Sequence, residues 1–311
     1  MNENHIAELS IIVKGMKSDG QAYEDLFTSI KKLISPTFKK IRAYGNIGDR
    51  KNDGFDPDSG TFYQVFAPED IEKNRTVVKA VSKLEEDFNG LKTHWGETEP
   101  IKHFKYVVND KQKGCPAPVE QKLIELRTKY TNITFSSYTL DDLISDFNSL
   151  TLDKKHSIVG FIPSFDNLTT ISIPAISNTI EHLKNIVGNS VKPDETFDQE
   201  ELHSKIEFNN LGSDIAELIE KAETQTYLIE DYFTNNQNKK LKTLVRDCLN
   251  YIYEEEKGNN HSFDKLTGPS SFFSILNKLS PDSSKDSMNA SLLLISYFFI
   301  SCDIYEKPTI I

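Results

Sequence analysis

The residues whose types could do chemistry are concentrated in one stretch of this sequence, residues 45–68. Asp49, Lys51 and Asp53 alternate along its first half, and side chains two residues apart project from one face of a strand. In the second half, Gln64 is the only polar side chain flanked by bulky apolar ones. A hairpin would bring two carboxylates, an ammonium and an amide together on a solvated surface. That combination suits a hard divalent cation and an anionic substrate, although a solvated hairpin with a charged tip has the same spacing.

A turn signal supports the hairpin. Residues 56–60 read Asp-Pro-Asp-Ser-Gly, in which Pro57 presets φ for a turn and Gly60 can adopt a positive φ. The stretch that follows, residues 61–66, is aromatic and β-branched, which is typical of a strand. The sequence therefore predicts two short strands joined by a tight turn.

Spacing excludes several competing motifs. Residues 49–54 resemble a calcium-binding loop, but Lys51 occupies a ligand position and Gly60 stands where the bidentate Glu belongs. Gly45 and Gly48 lack the spacing and the following Lys-Ser/Thr of a phosphate-binding loop. The sequence contains no H-E-x-x-H, paired C-x-x-C or G-x-S-x-G motif.

Length and composition favour a cytoplasmic chain of two domains. The chain has 311 residues, and its cysteines, Cys115, Cys248 and Cys302, are too few and too widely spaced for a disulfide framework or a zinc site. A reducing compartment fits this usage. Residues 1–12 do not resemble a secretory signal, and the most apolar run, residues 292–300, is too short to span a bilayer. We therefore expect no membrane partner.

Charge is distributed unevenly along the chain. Residues 1–150 carry 21 Lys and Arg against 23 Asp and Glu, a net charge of −2, whereas the remainder carries a net charge of −9. A strongly acidic surface repels phosphate backbones, so a nucleic acid should contact the first half. The acidic second half is better suited to docking a protein.

Helices and strands alternate in the first half, which predicts an α/β domain. The predicted elements are a helix at 20–34, a strand at 37–44, the hairpin, a helix at 70–92, a strand at 104–108, a helix at 119–130, a strand at 133–135 and a helix at 140–150. Their order is αβββαβ followed by αβα. We assign this domain to residues 1–160.

The second half predicts an all-α domain. Residues 161–200 are interpreted as a connecting segment with one helix at 178–186, and residues 201–311 as a helical docking or assembly domain. Four apolar stripes at helical spacing occur there: residues 215–233, residues 241–252, a helix from about residue 270 and a helix from about residue 287. The last is apolar on nearly every side, so we expect at least one of Tyr297, Phe298 and Phe299 to reach a subunit interface.

The element order and two motifs resemble the PD-(D/E)xK nuclease fold. Residues 48–54 read G-D-x-K-x-D-G, and residues 64–68 read Q-x-F-A-P. Together they are similar to bacterial double-stranded-DNA endonucleases of antiphage defence, including CBASS-associated enzymes. The similarity continues through residues 83–90, Trp95 and residues 104–116, and so covers about the first half of the chain.

This resemblance implies an endodeoxyribonuclease, a phosphodiester hydrolase that uses Mg²⁺ or Mn²⁺. It implies Asp53 as the principal metal ligand, Gln64 as the second and the carbonyl of Val65 as the third. Glu24 matches an acidic residue that relatives contribute from the first helix, although a solvated glutamate fits that position as well. Asp49 is predicted to support the site rather than to bind the metal. Because an amide binds a hard cation less strongly than a carboxylate, we expect a weak metal site, filled mainly when DNA is bound.

The sequence departs from the pattern of that fold at one position. The fold usually carries a lysine two residues after the position of Gln64, and here that residue is Phe66. We predict Lys51 as the replacement, because it precedes Asp53 by two residues on the same predicted strand face. A lysine that only touches phosphate would fit there too. Lys73 and Lys83, on or near the second helix, are the alternatives.

The C-terminal sequence resembles a second family. Residues 297–304, Y-F-F-x-x-C-D-I, are similar to the C-terminal domain of ABC-three-component defence systems of the Lamassu type. The resemblance implies the nuclease subunit of an antiphage and anti-plasmid complex, with an SMC-like ABC ATPase and a small accessory subunit as partners. It also implies that the ATPase holds the nuclease inactive, and that the active form is a homo-oligomer. Two alternatives stay open: a non-catalytic adaptor with a degenerate nuclease fold, and a cyclic-nucleotide-triggered nuclease of the CBASS type.

Overall fold

The computed structural model describes residues 3–44, 49–163, 171–188, 202–259, 268–301 and 304–306. The chain divides into two compact units. We call Lys14–Ile158 the sheet unit, and Met1–Val13 together with Val159–Ile311 the helical unit.

The described residues form thirteen helices and five strands. In chain order they are α1 (Glu3–Lys17), α2 (Gly20–Ile34), β1 (Lys39–Lys40), β2 (Gly54–Asp56), β3 (Thr61–Phe66), α3 (Asn74–Trp95), β4 (His103–Val108), α4 (Ala117–Lys129), β5 (Thr134–Tyr138), α5 (Leu140–Asn148), α6 (Leu152–Val159), α7 (Ile173–Val187), α8 (Leu202–Phe208), α9 (Gly212–Glu223), α10 (Tyr227–Asn235), α11 (Leu241–Asn259), α12 (Gly268–Leu279) and α13 (Lys285–Ile300). From α2 to α5 the elements follow the predicted order, αβββαβ and then αβα.

The five strands form one mixed sheet in the order β1-β2-β3-β4-β5. β1, β2 and β3 pair antiparallel, whereas β3, β4 and β5 pair parallel. The connections β3-α3-β4 and β4-α4-β5 are the helical crossovers that parallel neighbours require. The sheet unit is therefore an α/β unit, as the alternation of patterns predicts.

Aromatic side chains fill both faces of the sheet. On one face, Phe62, Phe104 and Phe135 are fully buried together with Phe88 of α3. On the other, Phe27 of α2 contacts rings from three parts of the unit, with centroid distances of 5.3–6.1 Å. Each fully buried phenylalanine contributes about 1.5–3 kcal/mol by removal from water. This aromatic core fixes where α2 and α3 lie on the sheet.

A buried polar cluster at the end of β4 holds the unit together. The Asn109 amide donates to the carbonyls of Gly15 (2.9 Å) and Ser18 (2.7 Å). The Asp110 carboxylate accepts hydrogen bonds from the backbone N–H of Leu140, at 2.8 Å, and from a backbone N–H in the loop between β4 and α4. Both side chains are fully buried, so these residues tie the start of α2 and the start of α5 to the sheet.

The first arm of the predicted hairpin is not a strand. Arg50 and Lys51 adopt positive φ angles of 57° and 62°, so β2 begins only at Gly54. The strand predicted over 37–44 is present but shorter, because only Lys39 and Lys40 pair with β2. The turn itself is confirmed, with φ of 66° at Gly60. The alternation of residue types along the sequence could not predict that the backbone is left-handed at Arg50 and Lys51.

Two boundaries differ from prediction for local reasons. The Asp70 carboxylate accepts the N–H groups of Glu72 (3.0 Å) and Lys73 (3.3 Å), and this turn delays α3 to Asn74. The last strand is longer than predicted, because β5 stays paired with β4 as far as Tyr138.

The helical unit is built around α13. Its residues are almost all buried, and it packs against α7, α9, α10 and α12. α7 lies in the predicted connecting segment, yet it packs against α11 and α13 and begins before residue 178, with Ser172 capping its first turn. The single stripe predicted over 215–233 is two helices, α9 and α10, separated by turns at residues 224–226.

The expectation that an aromatic ring of α13 reaches an interface was wrong. Tyr297, Phe298 and Phe299 are 8%, 0% and 0% exposed within this unit. Phe233 of α10 covers the first two rings, at 6.1 and 5.9 Å, and the Lys205 ammonium lies 4.4 Å from the Phe299 ring. Neighbouring helices therefore cover all three directions. Residues 302 and 303 of the C-terminal motif lie outside the described residues.

None of the helices in the described ranges combines the length and the apolar character needed to cross a membrane.

Candidate functional site

Asp53 lies at the point where β2 begins and is locked in place by its neighbours. Its N–H donates to the carbonyl of Tyr63 on β3, and its carbonyl accepts from the N–H of Ile41, both at 3.2 Å. Its carboxylate accepts the Val65 N–H at 2.6 Å, and the residue is only 8% exposed. The expectation of a solvated hairpin was therefore wrong: Asp53 presents a buried carboxylate fastened to the central strand.

The pKa of Asp53 is raised to about 7, chiefly by burial and to a smaller extent by the nearby carboxylates of Glu24 and Asp49. The N–H of Val65 and the charge of Lys83 act in the opposite direction. A carboxyl group with such a pKa is half ionised near neutrality because its charge lacks sufficient compensation. A bound cation would supply that compensation.

β3 presents two more oxygen atoms near Asp53. Continuing the register of β2 by one residue places Asp53 opposite Gln64. Gln64 is 4% exposed, and its Oε1 has no hydrogen-bond partner in the described part of the chain. The carbonyl of Val65 points to the same strand edge as its N–H, which contacts Asp53. A buried amide oxygen without a partner is costly, so these oxygens suit a ligand.

Glu24 approaches this site from α2. Its charge acts on Asp53, and its carboxylate forms an ion pair with Lys40 at 3.2 Å. The side chain is 20% exposed, so it is not a freely solvated glutamate. The structure thus brings this acidic residue of α2 to the edge of the site.

Lys51 does not share a strand face with Asp53, contrary to the premise of its prediction. Its positive φ turns the side chain towards α3, where the ammonium lies 2.8 Å from both Glu86 and Asp87. Hydrogen bonds to these two carboxylates raise the pKa of Lys51, and the bond to Asp87 has the larger effect. The alternation rule failed here because it assumes an extended backbone.

Asp87 joins two lysines and was not identified from the sequence as a site residue. It is fully buried, and its second carboxylate oxygen lies 2.9 Å from Lys83, one turn earlier on α3. The stem of Lys51 crosses α3 at Gly90, where a Cβ would come within 2.8 Å of its Cγ. Residues 83–90 thus contain a lysine, its carboxylate partner and a glycine that leaves room for a second lysine.

Two further residues complete the description. Lys73 pairs with Asp70 at 2.9 Å on the surface and is 67% exposed. Asn52 is fully buried, and neither polar atom of its side chain has a hydrogen-bond partner among the described residues. Its position beside Asp53 was the only sequence signal for it. Residues 45–48, including Gly48 of the G-D-x-K-x-D-G motif, lie outside the described residues.

The oxygen set fits a weakly held hard cation. In the described ranges, no group of three or more His, Cys, Asp or Glu side chains is arranged to hold a metal. Asp53, Gln64 and the carbonyl of Val65 instead offer one carboxylate, one amide and one carbonyl. Oxygen ligands with a single charge suit Mg²⁺ or Mn²⁺, with water and substrate phosphate completing the shell. The raised pKa of Asp53 and the unpartnered Gln64 oxygen are the observations that make this set fit.

Comparisons of this chain with protein-family models, curated proteins and solved structures found no match. The resemblances therefore stand on the motif residues alone.

We predict that Asp53→Asn stabilises the sheet unit at alkaline pH. The folded pKa lies above the ordinary value of 3.8, so the folded chain retains a proton that the unfolded chain releases between about pH 4 and 7. Stability therefore falls as pH rises through that window. Asparagine carries no charge and keeps an oxygen for the Val65 N–H, so the variant should gain roughly 1–4 kcal/mol over the wild type at pH 8.

Urea unfolding followed by Trp95 fluorescence measures this difference, because the only tryptophan of the chain packs on Phe55 and Phe62 of the same unit. Asp58→Asn, at an exposed position in the turn, is the matched control and should change stability little. An Asp53→Asn variant that is less stable than the wild type at pH 8 would contradict the assignment of a buried, uncompensated carboxylate.

Proposed function

We propose that this chain is a metal-dependent DNA endonuclease, the effector subunit of a bacterial antiphage and anti-plasmid defence complex. The observation that carries the proposal is the carboxylate of Asp53, which is buried and has a raised pKa beside the unpartnered oxygen of Gln64. Two lysines approach from α3 and the loop before β2, both held by Asp87. Burying so much polar functionality is costly for stability and is typical of sites that bind or react.

Asp53, Gln64 and the carbonyl of Val65 would hold Mg²⁺ or Mn²⁺, which when bound polarises a phosphoryl oxygen and lowers the pKa of an attacking water. Glu24 adds negative charge at the edge of this set. A lysine beside it stabilises the charge that develops on the phosphate in the transition state. Asp87 acts as a positioning residue, because its two oxygens fix the directions of Lys51 and Lys83.

Phe66 explains why the lysine must come from elsewhere. Its ring stacks on Tyr106 at 6.0 Å and is 7% exposed, so the position two residues after Gln64 belongs to the core. Lys83 is the lysine whose charge acts on Asp53. We therefore propose Lys83 as the main catalytic candidate, with Lys51 as the second.

The first test of the function is cleavage of double-stranded DNA by the full chain. We expect nicking or cutting that requires Mg²⁺ or Mn²⁺ and is lost, by at least about a hundredfold, in Asp53→Asn. Lys83→Ala should reduce cleavage to a similar degree, whereas Lys51→Ala should reduce it less.

Lys73→Ala is the matched control, since Lys73 is paired with Asp70 on the surface. Metal-dependent cutting at the wild-type rate by Asp53→Asn would refute the metal assignment. If Lys83→Ala keeps full activity and Lys51→Ala loses it, then Lys51 is the catalytic lysine. No cleavage by the wild type, with partners and abnormal DNA supplied, would favour the non-catalytic adaptor.

We further propose that the helical unit docks the SMC-like ATPase and its accessory subunit in the cytoplasm, and that release permits self-assembly of the nuclease. The net charge of −9 beyond residue 150 supports this, because an acidic surface disfavours DNA. Residues 14–158 alone should bind DNA but fail to recover a co-expressed SMC-like ATPase of the same genome in a pull-down. Equal recovery of the ATPase by residues 14–158 and by the full chain would contradict the proposal that the helical unit docks it.

A further inference from the structure

A pocket of about 510 Å³ opens where β3 ends and α3 begins. One wall is formed by residues 65–68, and the other by Arg75, Thr76 and Lys79 of the first turns of α3. Val65 belongs both to this pocket and to the oxygen set around Asp53. The pocket and the candidate site therefore meet at Val65.

Arg75 and Lys79 are available to a ligand. Both are exposed, and within the described ranges neither forms an ion pair with a carboxylate. They lie four residues apart on α3, and Lys83 follows after another four, so the three cations form a row about 12 Å long on one side of the helix. The row runs from the pocket to Lys83, which is held by Asp87.

We propose that this pocket binds a phosphate group of the DNA strand next to the phosphodiester that is cut. The proposal rests on the proposed function in so far as DNA is the substrate. The guanidinium of Arg75 can bind two phosphate oxygens at once, the ammonium of Lys79 adds a point charge, and the Thr76 hydroxyl can donate a hydrogen bond. Because the chain carries a net charge of −11, such local cations are needed to hold a polyanion.

DNA binding by the full chain across a salt series, with a chelator present to prevent cleavage, tests the pocket. Each lost phosphate contact lowers the magnitude of the slope of log K against log salt by about one, so Arg75→Ala/Lys79→Ala should lower it by about two. Lys92→Ala, about 20 Å further along the same helix, is the matched control and should keep the wild-type slope.

An unchanged slope in the double variant would overturn the proposal, as would absence of DNA binding by the wild type. A free nucleotide offers the same phosphate chemistry, so ATP and inorganic phosphate are titrated in parallel. Saturable ATP binding that the double variant loses while its DNA slope stays at the wild-type value would assign the pocket to a nucleotide instead. The double variant could also show a slope magnitude lower by two while the wild type never cleaves DNA. That result would support phosphate binding by the pocket and contradict the proposed nuclease activity.

Discussion

The buried carboxylate of Asp53 accepts a backbone N–H from β3, and much of the site depends on that contact. It fixes the start of β2 against Val65, which in turn places Gln64 opposite Asp53. Burial first, and then two more acids near this carboxylate, leave its charge poorly compensated, so its pKa rises to about 7. The arrangement costs stability in the free protein, and under the proposed function the binding of a cation and a phosphate would offset that cost.

The lysines are organised by a second buried carboxylate. Asp87 is fully buried, which is tolerable only because Lys51 and Lys83 each lie within 2.9 Å of it. Removing either lysine leaves part of that charge unpaired, so a loss of activity in such variants must be separated from a loss of fold. Together with Arg75 and Lys79, Lys83 turns one side of α3 into a cationic row directed at the pocket.

Patterns of residue type predicted the order of elements in the sheet unit, the turn at residues 56–60 and the apolar helix α13, because each follows from local propensity or periodicity. They did not predict the positive φ of Lys51, the burial of Asp53 or the role of Asp87, since these depend on where α3 crosses the hairpin. Hydrophobicity likewise predicted that α13 is buried, but could not say that helices of the same unit cover it. Each of these features depends on contacts between elements that are distant in the sequence.

Whether Asp53 binds a metal is best measured by a ¹³C NMR titration of its carboxyl group, assigned with Asp53→Asn, in the presence and absence of Mg²⁺. We expect a midpoint near pH 7 in the metal-free protein, about three pH units above the ordinary value, and a clear fall of that midpoint when Mg²⁺ is added. A midpoint in the ordinary acidic range, or one that does not respond to Mg²⁺, would contradict the proposal that Asp53 is the metal-binding carboxylate of a nuclease site.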